Sequence, residues 1–237
     1  EHSVPEYRPI DKSVYSVLEE NCTGLGDRPA LSYFGKEYSF SELMCNIDRV
    51  ASALLGMGIT KGDKVIVSLP SVPEAVELFY AINKIGAVFC GMDCRSKHDE
   101  IEEILVQIKP KACFVSDFHL KEFTNVDSVP VICISFMKTI SVIASFASVF
   151  VGIFTGRTFL IARRKNFMSY QQFIRNAKDT PVEKTDLGGD EICAYFYTSG
   201  TTYGRKCVMI TNENMNSSVL QYAYSQPGID DTDRFCT

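Results

Sequence analysis

The sequence has no excess of basic residues and no low-complexity tract. Its 237 residues carry 24 lysine and arginine side chains against 29 aspartate and glutamate side chains, a net charge of −5. A protein of this charge has no overall positive field to attract nucleic acid or anionic lipid. Apolar residues make up 46% of the chain and charged residues 22%, which excludes a disordered or fibrous protein. We therefore expect a folded domain that does not bind nucleic acid.

Histidine is scarce, and the cysteines lack the pattern of a disulfide framework. The histidines are His2, His98 and His119, and none of them adjoins a candidate nucleophile in the sequence. The nine cysteines are odd in number and irregularly spaced, which favours reduced thiols in a cytoplasmic protein. The sequence begins at Glu1 rather than at methionine, so we expect a trimmed N-terminus or a start inside a longer chain.

From residue 39 onward, helical periods alternate with short β-branched runs. Ser39 and Glu42 form an S-x-x-E capping box, which predicts that a helix begins there. Pro73 and Gly86 suit the start and the end of a second helix, and a third is predicted from Asp99 to Lys109. The predicted strands are mostly apolar rather than alternating, and they are 64–69, 87–90, 112–115, 131–134, 192–197 and 207–210. The pattern predicts an α/β fold with a mostly parallel sheet that helices cover on both faces.

An apolar segment and a polar segment interrupt this alternation. Residues 139–156 carry no charge, and their small or hydroxyl side chains step by four, three, four and three, which predicts a helix with one small-residue face. That face is formed by Ser141, Ser145, Ser148, Gly152 and Thr155. The helix is either buried or interdomain, or it docks on a membrane or forms a short span across one. On a membrane, Arg163, Arg164 and Lys165 would meet anionic headgroups. Residues 178–190 are polar and predict a surface connector.

The most informative stretch runs from Tyr197 to Lys206, between two strands that are both predicted to be buried, with the loop exposed at their junction. It reads Tyr-Thr-Ser-Gly-Thr-Thr-Tyr-Gly-Arg-Lys, with four small hydroxyl side chains, two glycines and two cations. Glycines let backbone N–H groups approach phosphate oxygens, hydroxyls donate further hydrogen bonds, and a lysine brings a compact positive charge. The composition therefore predicts a loop that binds an oligophosphate, although a hydroxyl-rich hairpin turn has the same composition.

Two better-known loops are excluded by spacing. The P-loop needs G-x-x-x-x-G-K-[ST], but the glycines of this loop, Gly200 and Gly204, are four positions apart rather than five. No G-x-S-x-G surrounds Ser199, so it is not the nucleophile of an α/β-hydrolase.

The loop resembles the signature of the adenylate-forming superfamily, which contains acyl-CoA synthetases, luciferases and the adenylation domains of peptide synthetases. The family pattern is Y-T-S-G-T-T-G-x-P-K-G-V followed by T-H-x-N. Matching positions are Tyr197, Thr198, Ser199, Gly200, Thr201, Thr202, Lys206, Val208, Thr211 and Asn214. Segments at 38–43, 58–65 and 85–93 are similar to upstream family segments, in the family's order. The resemblance covers about residues 30–237 and implies that 1–237 is an incomplete N-terminal AMP-binding domain, with 139–156 as an insertion.

The chain departs from the family pattern at four positions. Tyr203, Arg205, Cys207 and Asn212 stand where the family has glycine, proline, glycine and histidine. A tyrosine in place of glycine disfavours a positive φ at that position, and Gly204 can take over this role one residue later. These four differences bear on how tightly the loop binds a nucleotide, and they do not change the resemblance to the superfamily.

The resemblance implies a two-step reaction and a set of site residues. A carboxylate attacks the α-phosphorus of ATP, bound with Mg²⁺, to give an acyl-adenylate, and a thiol, expected to be that of coenzyme A, then accepts the acyl group. Lys206 is the implied catalytic residue and Thr202 the implied Mg²⁺ ligand. The implied phosphate-binding residues are Thr198, Ser199, Gly200, Thr201, Thr202 and Gly204. A small-molecule carboxylate is therefore the expected partner.

Alternatives remain open at the level of the sequence. The chain could belong to an amino-acid-activating domain of a peptide synthetase, or act only as a nucleotide-binding or membrane-associated module. The pair Thr201-Thr202 and the absence of an A-Y-V-P-I-D stretch after Gly86 favour an acyl-CoA ligase. The adenine-binding and ribose-binding motifs of the family have no counterpart here, so this chain alone is expected to be inactive.

Overall fold

The computed structural model describes residues 9–135, 164–178, 180–198, 206–226, 228 and 233–234. Its helices are α1 (Val14–Asn21), α2 (Phe40–Gly56), α3 (Pro73–Lys84), α4 (His98–Ile108), α5 (Tyr170–Ile174) and α6 (Asn212–Ser225), with a short 3-10 helix at Leu120–Phe123. Its strands are β1 (Pro29–Tyr33), β2 (Lys36–Ser39), β3 (Lys64–Ser68), β4 (Val88–Gly91), β5 (Ala112–Ser116), β6 (Val131–Ile134), β7 (Phe167–Ser169), β8 (Ile192–Tyr197) and β9 (Cys207–Thr211).

The large sheet contains seven of these strands in the order β7-β6-β5-β3-β4-β8-β9. All its neighbouring strands are parallel except β8 and β9, which pair antiparallel. β1 and β2 form a separate antiparallel hairpin. The predicted α/β fold with a mostly parallel sheet is therefore confirmed.

Helices cover both faces of the sheet. Successive residues of a strand point to opposite faces, so neighbouring residues of β3 contact different helices. Val65 and Val67 of β3 pack into one apolar cluster with α2 and α3. Ile66, between them, packs into a second cluster with α4 and the 3-10 helix. Strands that are buried on both faces read as continuous apolar runs, which is why the sequence pattern predicted them.

Local signals set the ends of the central helices. The Ser39 hydroxyl accepts from Glu42 N, and the Glu42 carboxylate accepts from Ser39 N, so the predicted capping box forms. Gly86 follows α3 with φ +75°, a conformation that favours glycine. α4 begins at His98, one residue before the predicted start, and Lys109 and Pro110 end it.

Several elements were absent from the sequence-based prediction: α1, the β1–β2 hairpin, β7, α5 and α6. β7 and α5 have only three and five residues, too few to show a period. α6 is rich in asparagine and serine, so its apolar period is weak. α1 depends on distant residues, because Tyr15 N donates to Asn83 Oδ1 and Val14 N donates to Asn212 Oδ1.

The prediction that both strands around the phosphate loop are buried is wrong for β9 and holds only in part for β8. Val208 and Met209 of β9 are 40% and 61% exposed, whereas in β8 Cys193 and Ala194 are buried and Phe196 is 39% exposed. Among the described strands, β9 stands last in the large sheet and has a strand neighbour, β8, on one side only. An apolar run predicts a strand, but it does not say what covers the strand.

The predicted apolar helix at 139–156 lies outside the described residues. Within the part of the chain that is described, no helix has the length and hydrophobicity needed to cross a bilayer. Of the polar segment at 178–190, the described residues form no helix or strand and run beside α1 and α3. Lys184 pairs with Glu19, and Thr185 N donates to Lys84 O.

Candidate functional site

The carboxyl ends of the parallel strands lie along one edge of the large sheet. β4 stands between β3 and β8, with Val67 paired to Gly91 and Gly91 paired to Phe196. The segments that follow β4 and β8 therefore start side by side. Open α/β sheets bind ligands outside the carboxyl ends of their strands, so this edge is where a ligand site is expected.

A buried histidine lies at this edge of the sheet, next to the end of β3. The chain goes from β3 to β4 on one side of β3 and then to β5 on the other, so its winding direction reverses next to β3. His119, after β5, contacts Ser68 Oγ at the end of β3 through Nδ1 (2.8 Å) and Ser96 O through Nε2 (2.6 Å). All three residues are buried. Both ring nitrogens are thus occupied, and His119 holds together the segments that follow β3, β4 and β5.

The loop predicted to bind phosphate leaves the sheet at the end of β8. Thr198 N donates to Lys206 O (3.0 Å), and Lys206 N donates to the Thr198 hydroxyl oxygen (3.2 Å). These two hydrogen bonds close the neck of the loop directly after the last pair of the β8–β9 ladder, Tyr197 with Cys207. Thr198 and Lys206 are both exposed. The structure thus brings together the first and last of the predicted site residues.

The remaining predicted site residues lie outside the described residues. They are Ser199, Gly200, Thr201, Thr202 and Gly204, and their phosphate-binding and metal-binding roles stay predictions. The substituted positions Tyr203 and Arg205 lie outside as well. Within the described residues, no group of three or more histidine, cysteine or acidic side chains could hold a metal ion.

Lys206 brings a positive charge to the neck of the loop. The ammonium is exposed and makes no ion pair with an acidic side chain of the described residues. The Thr198 hydroxyl oxygen already accepts from Lys206 N, so its proton remains available for a further acceptor. The neck can therefore offer one cation and one hydroxyl donor to an anion.

The loop after β4 lies beside this neck and carries an ion pair. The Asp93 carboxylate accepts from Nε and Nη2 of Arg95, at 3.0 and 2.7 Å, and from Arg95 N. The Arg95 guanidinium lowers the pKa of Asp93 to about 2. The same loop is tied to the core by the His119–Ser96 hydrogen bond. The β4 loop is thus positioned by contacts of its own, independently of the phosphate loop.

Tyr197 connects the neck to α4. Its hydroxyl donates to Gln107 Oε1 (3.0 Å). Burial, and then the neighbouring Cys207 thiol, raise the pKa of Tyr197 well above its ordinary value, so the phenol stays protonated and remains a donor.

Sequence reasoning missed His119, Gln107 and Ser96 as positioning residues. No spacing signals them, because their partners lie on other strands and helices.

Comparison with known proteins gives a family and a fold. The family model described as "AMP-binding enzyme" matches residues 18–237. The long-chain-fatty-acid–CoA ligase of Bacillus subtilis is 21% identical over 220 residues, which are 90% of this chain and 39% of that protein. Surfactin synthase subunit 1 of the same organism is 27% identical over 203 residues, 85% of this chain and 5% of that protein. A solved anthranilate CoA ligase in complex with anthranoyl-AMP superposes with a TM-score of 0.76 at 21% identity, covering 95% of this chain and 40% of that one.

Proposed function

The chain belongs to the AMP-binding enzyme family, and from that premise we propose that it supplies the phosphate-binding loop of a ligase that activates a carboxylate with ATP and transfers it to coenzyme A. The observation that carries the proposal is the closed neck formed by Thr198 and Lys206 at the carboxyl edge of the sheet. The family resemblance of the residues between them supports it. The chain spans 39% of the Bacillus subtilis ligase, so the proposal concerns the whole protein.

In the first step, a carboxylate oxygen of the substrate attacks the α-phosphorus of ATP. The bond from that phosphorus to the bridging oxygen breaks, which gives an acyl-adenylate and pyrophosphate. Negative charge grows on the pyrophosphate as it leaves, and the Lys206 ammonium and the Thr198 hydroxyl would stabilise it there. Nothing in this step requires a general base, because the carboxylate is already ionised; positioning and charge stabilisation carry it.

The loop between these two residues would bind the rest of the phosphate chain. Ser199, Gly200, Thr201 and Gly204 would offer backbone and hydroxyl donors, and Thr202 would contribute a hydroxyl ligand to Mg²⁺. When bound, the metal ion neutralises phosphate charge. The proposed roles of these loop residues rest on the family resemblance.

In the second step, the thiol sulfur of coenzyme A attacks the acyl carbonyl. A carbon–sulfur bond forms, AMP leaves with the electron pair of the carbon–oxygen bond, and the thiol proton goes to solvent. Similarity to proteins named CoA ligases supports coenzyme A as the acceptor. Activation of an amino acid is the competing proposal, and the pair Thr201-Thr202 weighs against it.

ATP–pyrophosphate exchange with a panel of acids tests the proposal. The intact protein should catalyse exchange with a fatty or aromatic carboxylate, and it should release AMP from ATP only when coenzyme A is added. Exchange with amino acids alone would support the competing proposal, and the lack of exchange with every acid would contradict both. The 237-residue chain alone should give no exchange, because it spans only part of its relatives.

A further inference from the structure

A cavity that is open to solvent lies at the opposite edge of the sheet from the phosphate loop. It opens above the amino ends of β3, β4 and β8 and has a volume of about 260 Å³. Ile192 and Tyr195 of β8 line this cavity, and at the usual rise per residue they lie about 20 Å and about 10 Å from the neck at Thr198. The cavity is therefore separate from the proposed nucleotide site.

We propose that this cavity binds a small monoanionic carboxylate with an apolar body, through Lys64 and the apolar residues beside it. The proposal does not rest on the function proposed above for the phosphate loop. Its argument has three parts: the charges around the cavity, the apolar wall and the volume.

One of the lysine ammonium groups around the cavity has no carboxylate partner among the described residues. The Lys61 ammonium pairs with Glu191 Oε2 at 2.8 Å, and Glu191 Oε1 also accepts from Gly188 N. The Lys111 ammonium lies 4.0 Å from Asp63 Oδ1. Lys64, half-buried at the start of β3, makes no ion pair with an acidic side chain of the described residues. The lining of the cavity holds two lysines, Lys61 and Lys64, and one carboxylate, Glu191, so Lys64 carries the surplus charge; Lys111 and Asp63 lie outside the lining.

The wall beside Lys64 is apolar. Val88, Ile192 and Tyr195 line the cavity, and these three side chains belong to the same core cluster as α4. An inorganic anion would gain nothing from such a wall, whereas an apolar body attached to the anionic group would bury surface against it. The nearby Glu191 carboxylate disfavours a second negative charge on the ligand. A monoanion is therefore preferred over phosphate.

The volume sets the size of the ligand. Pockets for drug-sized molecules begin at about 300 Å³, and this cavity is slightly smaller. Benzoate is a suitable probe, because it combines one carboxylate with a compact apolar ring. Benzamide has the same shape without the charge, and inorganic phosphate has charge without the apolar body.

Methyl NMR on the chain tests binding at this site. The δ1 methyl signal of Ile192, identified by its loss in Ile192→Val, should move with benzoate along a single saturable curve. Lys64→Met should weaken benzoate binding by about tenfold or more, since it removes the charged partner and keeps the stem. Lys64→Arg should stay within about threefold, because it keeps the charge. Lys111→Met is the matched control, since Lys111 does not line the cavity, and it should leave binding unchanged.

The same titrations can overturn the proposal. An Ile192 signal that does not move with benzoate would do so, as would equal benzoate affinity in wild type and Lys64→Met. Benzamide that binds as tightly as benzoate would contradict the role of the charge. Phosphate that moves the Ile192 signal at the same concentrations would contradict the role of the apolar wall. All these readouts are independent of ATP turnover, so they remain decisive if the proposed ligase activity fails.

Discussion

At the scale of single residues, Glu77 shows how the fold sets a carboxyl group's protonation. It lies buried on α3, where its two oxygens accept from Asn46 Nδ2 (2.8 Å) and from the Tyr170 hydroxyl (3.3 Å). Burial, and then the nearby Glu74, raise the pKa of Glu77 to about 7. The folded state therefore retains a proton at Glu77 that the unfolded chain releases near pH 4.5.

This proton makes stability depend on pH. Because the folded chain binds more protons than the unfolded chain between pH 4.5 and 7, the free energy of unfolding should fall as pH rises through that window. The loss should approach about 3 kcal/mol at pH 8. Glu77→Gln should remove this part of the pH dependence, because an amide does not titrate. Urea unfolding of both proteins from pH 4.5 to 8 measures it, and parallel pH profiles would contradict the prediction.

The side-chain hydrogen bonds of Asn212 also depend on the fold, because their partners lie far away in the sequence. Its Oδ1 accepts from Val14 N and Asn83 Nδ2, and its Nδ2 donates to Gly188 O and Glu191 O. Asn212 is fully buried, so removing its amide leaves several buried groups without a partner.

We therefore expect Asn212→Ala to lower the free energy of unfolding by about 3 kcal/mol. Asn216→Ala is the matched control on the same helix, because Asn216 donates one hydrogen bond, to Lys12 O, and it should cost about 1 kcal/mol. Urea unfolding measures both variants. An equal loss in the two would mean that the Asn212 amide does not tie α1 and α6 to the sheet.

At the scale of elements, the neck between β8 and β9 is closed in part by a hydrogen bond from Lys206 N to the Thr198 hydroxyl, and this bond can be tested directly. Thr198→Val keeps the side-chain shape but removes the acceptor for Lys206 N, whereas Thr198→Ser keeps a hydroxyl. Amide hydrogen exchange at Lys206 should become about tenfold faster in the valine variant and stay near wild type in the serine variant. The same exchange rate in all three proteins would show that the hydroxyl does not close the neck.

The elements also show which parts of the fold the sequence specifies locally. α2, α3 and α4, and the strands β3, β4, β5, β6, β8 and β9, were predicted because caps and apolar periods lie within each element. α1 was missed because its first N–H groups find acceptors on Asn83 and Asn212, which are 68 and 198 residues away from their donors. The burial of β9 was predicted wrongly, because burial depends on neighbours that the strand's own sequence does not encode.

At the scale of the whole molecule, the segment 139–156 yields a prediction about membranes. It lacks charge, and Arg163, Arg164 and Lys165 follow it. An uncharged helix flanked by basic residues would bind anionic bilayers through apolar burial and charge. Deletion of 139–156 should lower co-sedimentation of the intact protein with vesicles containing phosphatidylserine by about tenfold. Equal co-sedimentation of both proteins would exclude lipid as the partner of this segment.

The position and the family of the loop were predicted from the sequence, because the run of hydroxyls, glycines and Lys206 is one continuous stretch of chain between two predicted strands. The phosphate-binding and metal-binding roles of its residues stay predictions. The supports of the neighbouring β4 loop were not predictable. His119 reaches Ser68 and Ser96 across 51 and 23 residues, and only the parallel sheet brings them together.

ATP–pyrophosphate exchange by the intact protein with Lys206→Ala and Arg205→Ala tests the central claim most directly. The Lys206 ammonium stands at the closed neck of the loop, and it matches a lysine of the family pattern, whereas Arg205 replaces an uncharged family residue. Lys206→Ala should lower exchange by about a hundredfold, and Arg205→Ala should lower it by less than about threefold. Equal losses in the two variants would contradict the assignment of the loop and of Lys206.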